Sequence, residues 1–129
     1  SALPAPLVVQ LILNFPEPEN TAILLQERLG LRDACMAFDI SLGCSGYVYG
    51  LQVIGQFIQS GAVRKALLLV GDKSTISTAY QDKSTYPLFG DAGTATLLSF
   101  STDSKPWFIN AGSDGSGKNS IIMNSSNRA

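Results

Sequence analysis

The stretch Asp39–Leu51, DISLGCSGYVYGL, decides how this chain folds. It passes from strand-type residues straight into helix-type residues. A lone cysteine, Cys44, stands at the join, with Gly43 and Gly46 close on either side. From about Cys44 to Ser60 the apolar positions include Tyr47, Leu51, Ile54 and Ile58, while Gln52, Gln56 and Gln59 fall on the other face. That spacing has the 3.6-residue period of an amphipathic helix. Gly61 predicts its end. Gly46, Gly50 and Gly55 each cost about 1 kcal/mol inside a helix relative to alanine. Three of them predict close packing against another backbone. Just upstream, Cys35–Ile40, CMAFDI, reads as a short interior strand.

Working outward, Lys65–Lys73, KALLLVGDK, is apolar enough for a central strand covered on both faces. Leu7–Leu13, LVVQLIL, predicts a buried strand. Pro16 and Pro18 keep NFPEPEN out of regular structure. Asn20 then suits the cap of a helix over Thr21–Leu29, with Gly30 as its stop. Its apolar stripe is Ile23, Leu24, Leu25 and Leu29, with Gln26, Glu27 and Arg28 towards solvent. STISTAYQDKSTYP is polar and loop-like, with room for one helical turn. Thr94–Phe100 predicts a further strand and Trp107–Ile109 a short one, ahead of a Gly/Ser-rich loop. The closing SIIMNSSNRA has no clear partner. Strands alternating with helices predict an α/β domain with helices over a largely parallel sheet. No internal repeat or low-complexity tract interrupts it.

The composition narrows the partners. In 129 residues, 45% are apolar and only 15% charged, against a usual ~25% charged. One domain with a sizeable core, or a docking face, fits those values. The net charge is -1 without clustered Lys or Arg, which argues against nucleic acid. No apolar run approaches the ~18 residues of a membrane span, and SALPAP is not a signal peptide. Cys35 and Cys44 flank a strand that would hold them apart, so they do not read as a disulfide. Two thiols in a chain without histidine also make a poor zinc site. A reducing cytosol is the compartment these features predict.

Cys44 has two readings. Most buried cysteines are packing residues. Yet a strand end followed by a helix start is where open α/β sheets build sites. A helix N-terminus favours a thiolate, and its N–H groups can hold an oxyanion. Gly43 and Gly46 leave clearance for an incoming acyl group. The residues alone leave nucleophile and packing residue evenly matched.

A resemblance tips the balance. DISLGCSGYVYGL is similar to the nucleophile segment of the β-ketoacyl-acyl carrier protein synthase III family, in the thiolase superfamily. TAILLQERLGL, Thr21–Leu31, resembles the helix before that segment, and GQFIQSGAVRKALLLVGDK follows at the family's spacing. DKSTYPLFGDAGTATLL, Asp82–Leu98, resembles its Phe-Gly-Asp-Gly-Ala-Gly stretch. GSDGSG, Gly112–Gly117, resembles a later loop. These motifs cover roughly residues 7 to 118 in the family's order.

The resemblance implies an α/β, thiolase-like fold: part of the N-terminal half, forming a single partial domain over residues 1–129. Its mixed, mostly parallel sheet would be covered by helices. It implies a cytoplasmic condensing enzyme of fatty acid or related biosynthesis, using acyl-CoA and a malonyl-acyl carrier protein, with no further cofactor or metal. Cys44 takes the nucleophile's position, and its backbone N–H that of an oxyanion donor. Lys83 stands where some members carry an arginine near the CoA entrance; otherwise it is a solvated loop lysine. Phe89, Gly90 and Asp91 match the Phe-Gly-Asp motif, read as a turn shaping the floor of the site. Asp91 is read as a backbone-bonding residue rather than an acid or base.

Two departures stand out. Pro18, Glu19, Asn20, Thr21 and Ala22 replace the family's frequent Phe-Pro-Ser-Thr-Ala, which puts the usual acyl preference in doubt. FGDAGTA replaces Phe-Gly-Asp-Gly-Ala-Gly-Ala. Both point to a divergent branch, serving polysaccharide or secondary-metabolite clusters. Family members also carry a histidine and an asparagine in a second half that this chain lacks. The chain therefore reads as a fragment unable to run the full reaction, from a parent that forms a homodimer. Two alternatives stay open: another thiolase-superfamily acyltransferase, and a non-catalytic α/β interaction module.

Overall fold

A computed structural model describes residues 7–13, by backbone alone, together with 21–76, 78–84 and 86–120. Strand β1 is Leu7–Leu13, helix α1 Thr21–Arg28, and strand β2 Met36–Ser41. Helix α2 is Gly46–Gln59, strand β3 Lys65–Asp72 and strand β4 Ala92–Ser99. Short 3-10 turns occupy Ser74–Ile76, Tyr86–Leu88 and Gly115–Gly117. The expected Asn20 cap, the NFPEPEN segment and the closing SIIMNSSNRA lie outside the described residues.

The sheet order is β2-β1-β3-β4. β1 pairs in parallel with both β2 and β3, and β4 runs antiparallel to β3. The α1 crossover thus moves one way along the sheet and the α2 crossover moves back. Right-handed crossovers in opposite directions place their helices on opposite faces. Alternate residues of β2 show this, because neighbouring side chains on a strand point to opposite faces. Phe38 and Ile40 pack towards α2, while Asp39 bonds the start of α1.

The core lies between α2 and the sheet. Ile54, Ile58, Val63, Ala66 and Leu68 form it, with Leu51, Phe57, Val70 and Leu98 packed around them. The buried stripe of α2 is Gly46, Gly50, Ile54 and Ile58. Tyr47, expected in that stripe, is exposed, and its hydroxyl lies 3.1 Å from Thr96 Oγ1. The glycines occupy the inner face at the start of the helix, so the tyrosine is turned outward. Gly55 meets a side chain rather than a backbone: a Cβ there would stand 3.4 Å from Trp107 Cζ3.

Three further expectations change. In α1 it is Ala22 that is buried, while Ile23, Leu24 and Leu29 are exposed. Gln26 is half-buried instead of solvated, because its amide donates to the carbonyls of Arg32 and Cys35. β3 is covered fully on one face only. α1 packs on β1 and β2; its eight residues span only about 12 Å. Leu69 and Gly71 therefore line an open cavity of about 380 Å³ with Leu25 and Leu29. Finally, Trp107–Ile109 is not a strand. That segment runs against α2 instead of pairing with β4, with Trp107 on Gly55 and Gly112 O accepting from Tyr49.

Candidate active site

The registers bring several chain segments to one edge of the sheet. Ile12 pairs with Ser41, Leu13 with Asp72, and Asp72 with Ala92. The carboxyl ends of β2, β1 and β3 thus lie beside the start of β4. Adjacent strands stand about 4.8 Å apart. The turn after β2, the loop after β3 and the residues before β4 all occupy this edge. Cys44, Ser74–Thr75 and Phe89–Asp91 belong to those three segments respectively.

Cys44 is exposed, whereas Cys35 is buried. The chain leaves β2 at Ser41 and turns through residues 43–45, with Gly46 N donating to Gly43 O at 2.8 Å. α2 starts at Gly46 with Ser45 as its N-cap. Cys44 therefore sits one residue ahead of the cap, and the helix starts two positions later than the sequence predicts. Ser45 makes no side-chain cap bond, which leaves the first N–H groups of α2 to other partners. Among the described residues the Cys44 N–H donates to nothing. β2 separates the two cysteines by roughly 20 Å of extended chain, so they cannot bridge.

Hydrogen bonds fasten the rest of this edge. Ser74, buried beyond the end of β3, donates from Oγ to Asp72 Oδ2 at 2.6 Å. Thr75 donates to Asp91 from its backbone N at 3.0 Å and from Oγ1 at 2.6 Å. The Thr75 hydroxyl first, its backbone N–H next and the Lys73 ammonium last hold the Asp91 carboxyl below its ordinary pKa. Asp91 thus ties the loop after β3 to the start of β4. Phe89 is partly exposed, and Gly90 has open space where a Cβ would point. Lys83 lies in an exposed turn shaped by Asp82, which accepts from Ser84 N and Oγ. No hydrogen bond among the described residues joins Lys83 to Cys44. No three His, Cys, Asp or Glu side chains gather as a metal would require, among the described residues.

Two residues escaped the reading of the sequence. Asp39 accepts the N–H groups of Thr21 at 2.8 Å and Ala22 at 2.9 Å, one on each carboxylate oxygen. It caps α1 from the neighbouring strand. The signal was present: a carboxylate inside an apolar strand needs buried partners. Tyr49 is the second. Its hydroxyl donates to Gly112 O at 3.2 Å and links α2 to the GSDGSG loop. That loop has its own order, with Asp114 accepting from Ser116 N.

The parallel strands, the antiparallel β4 and helices on both faces define a thiolase-like α/β unit, with an exposed cysteine at a strand-to-helix turn. Residues 38–115 match the family model for 3-oxoacyl-(acyl-carrier-protein) synthase III. The chain belongs to the 3-oxoacyl-(acyl-carrier-protein) synthase III family. It is 49% identical over 79 residues to a β-ketoacyl-(acyl-carrier-protein) synthase III of Alkalilimnicola ehrlichii, covering 61% of this chain and 24% of that one. A Sulfurovum protein of the same name is 39% identical over 105 residues, covering 80% of this chain and 30% of that one. A crystal structure of a 3-oxoacyl-(acyl-carrier-protein) synthase III superposes with a TM-score of 0.73 at 33% identity. That match covers 90% of this chain and 35% of the other. The chain thus spans about a quarter to a third of the length of these relatives.

Proposed function

We propose that this chain is the cysteine-bearing part of a condensing enzyme that joins an acyl group to a malonyl unit in fatty acid or related biosynthesis. The observation that carries the reading is Cys44: exposed, one residue before the cap of α2, and inside the family match. Its sulfur attacks the carbonyl of an acyl-CoA. A carbon–sulfur bond forms, the CoA thiolate leaves, and the acyl group stays on Cys44. The Cys44 N–H faces the oxygen that becomes negative in that step. A malonyl-carrier protein then loses carbon dioxide, and its carbanion attacks the Cys44 thioester. A carbon–carbon bond forms and the thiolate is released. Splitting the condensation through a covalent intermediate divides one hard step into two.

In this reading Gly43 gives the acyl group clearance, the buried Gly46 lets the start of α2 pack on the sheet, and Phe89, Gly90 and Asp91 shape the floor. Lys83 supplies charge near the CoA phosphates, as a point cation without the bidentate fork of an arginine. Residues 1–129 form one partial domain. The parent is a cytoplasmic homodimer that meets acyl-CoA and an acyl carrier protein. The chain has no histidine, so the group that drives decarboxylation belongs elsewhere in the parent, and this chain alone stops at the acyl-thioester.

Intact mass after incubation with a panel of acyl-CoAs tests the proposal. One acyl group should appear, map to Cys44, and vanish in Cys44→Ala. Acylation that persists in Cys44→Ala, or none with any acyl-CoA, refutes the assignment. β-Ketoacyl product made from malonyl-carrier protein by this chain alone would refute the division of labour.

A further inference from the structure

Two contacts guide the segment after β4 along α2. Trp107 lies against Gly55, near the middle of the helix. Gly112 O accepts from the Tyr49 hydroxyl, near its beginning. Five residues of the segment thus match six of the helix, about 9 Å at 1.5 Å per residue. The segment climbs α2 towards its N-terminal end. Helical side chains lean towards the N-terminus, so the Tyr49 phenol reaches past the first turn. Tyr49 N itself donates to Ser45 O, directly after Cys44. Gly112 is therefore held towards the end of α2 that follows the thiol.

We propose that Tyr49 is a positioning residue: by clasping Gly112 it keeps residues 110–114 as a wall beside Cys44 and limits the bulk of what can reach the sulfur. This rests on Cys44 being the nucleophile of the proposed function. The wall then helps set which acyl groups are accepted. The Tyr49 phenol touches no reacting atom. It acts through the segment it holds. Asp114, capping Gly115–Gly117, keeps the far side of the wall in shape.

Alkylation of Cys44 with reagents of two sizes tests the clasp, with the modified site read by peptide mass. Iodoacetamide reports the thiol itself, and a bulky aryl maleimide reports access. Tyr49→Phe removes only the hydroxyl. One such bond shifts an open–closed balance by roughly two- to tenfold. The maleimide-to-iodoacetamide rate ratio should therefore rise by that factor. Trp107→Ala, which loosens the same segment at its other anchor, should raise the ratio too. Tyr47→Phe, whose hydroxyl meets Thr96 rather than the segment, should leave it unchanged. An unchanged ratio in both Tyr49→Phe and Trp107→Ala overturns the proposal, as does an equal rise in Tyr47→Phe. A raised ratio with no acyl group ever found on Cys44 leaves the wall standing and removes the nucleophile assignment instead.

Discussion

Asp39 shows how one side chain joins local chemistry to the site. It lies on β2 five residues before Cys44 and closes the first turn of α1 with two charge-assisted bonds. Asp39→Ala should destabilise the chain by about 1–2 kcal/mol, the range for losing a helix cap, read as a lower urea midpoint. Asp39→Asn keeps one acceptor oxygen and should fall between. Equal midpoints for all three chains would show that the clamp contributes nothing. Asp91 offers a titration. Its carboxyl is held low chiefly by the Thr75 hydroxyl, so Thr75→Val should raise the pKa followed by carboxyl NMR; no movement would contradict that cause. The folded-state pKa is depressed, so any stabilisation is present above the unfolded pKa and is lost as pH falls through the folded value. At this scale the sequence was partly readable. Cys44 stood out by its flanking glycines. Asp39 signals a need for partners by standing in an apolar strand, but those partners, Thr21 and Ala22, lie 18 and 17 residues away, and nothing local identifies them.

Among the elements, α2 carries most of the organisation. Its period was plain in the sequence, but its inner face was not. Hydrophobicity favours Tyr47 for the core, whereas packing selected Gly46 and Gly50. A scale of side chains cannot register a position chosen for having none. The same limit applies to α1, where consecutive apolar residues leave the inward face undecided until Gln26 finds carbonyls to bond. Trp107–Ile109 has strand-type residues, but its aromatic ring found a glycine on α2 before it found a strand. Two substitutions follow from this packing. Leu68→Ala, in a fully buried position facing α2, should cost about 2–5 kcal/mol by calorimetry or urea unfolding; a loss under 1 kcal/mol would mean that this face is loosely filled. Gly55→Leu should push Trp107 away. The chain's one tryptophan makes the effect readable: its emission should shift red and quench more readily with acrylamide, without a loss of helix by circular dichroism. An unchanged spectrum would mean that the ring does not rest on Gly55.

Taken whole, the described residues leave large apolar side chains open to solvent: Phe108 is 94% exposed, Leu97 69% and Trp107 57%. β4 bears Leu97 on the face that α1 does not reach. Single exposed apolar residues are ordinary, but a contiguous apolar patch marks a surface that binds something. Among the described residues the antiparallel β4 also ends the sheet, and an open strand edge carries unpaired N–H and C=O groups. Both features predict the same behaviour of the isolated chain. It should bind ANS strongly under native conditions and self-associate as concentration rises, read by sedimentation. Its urea m-value should fall below that of a compact domain of equal length, because m follows the surface newly exposed on unfolding. A monodisperse chain with weak ANS binding and an ordinary m-value would mean that these apolar residues are covered within the chain itself. The bare face of β3 and β4 could then not serve as the surface on which other parts of a condensing enzyme assemble.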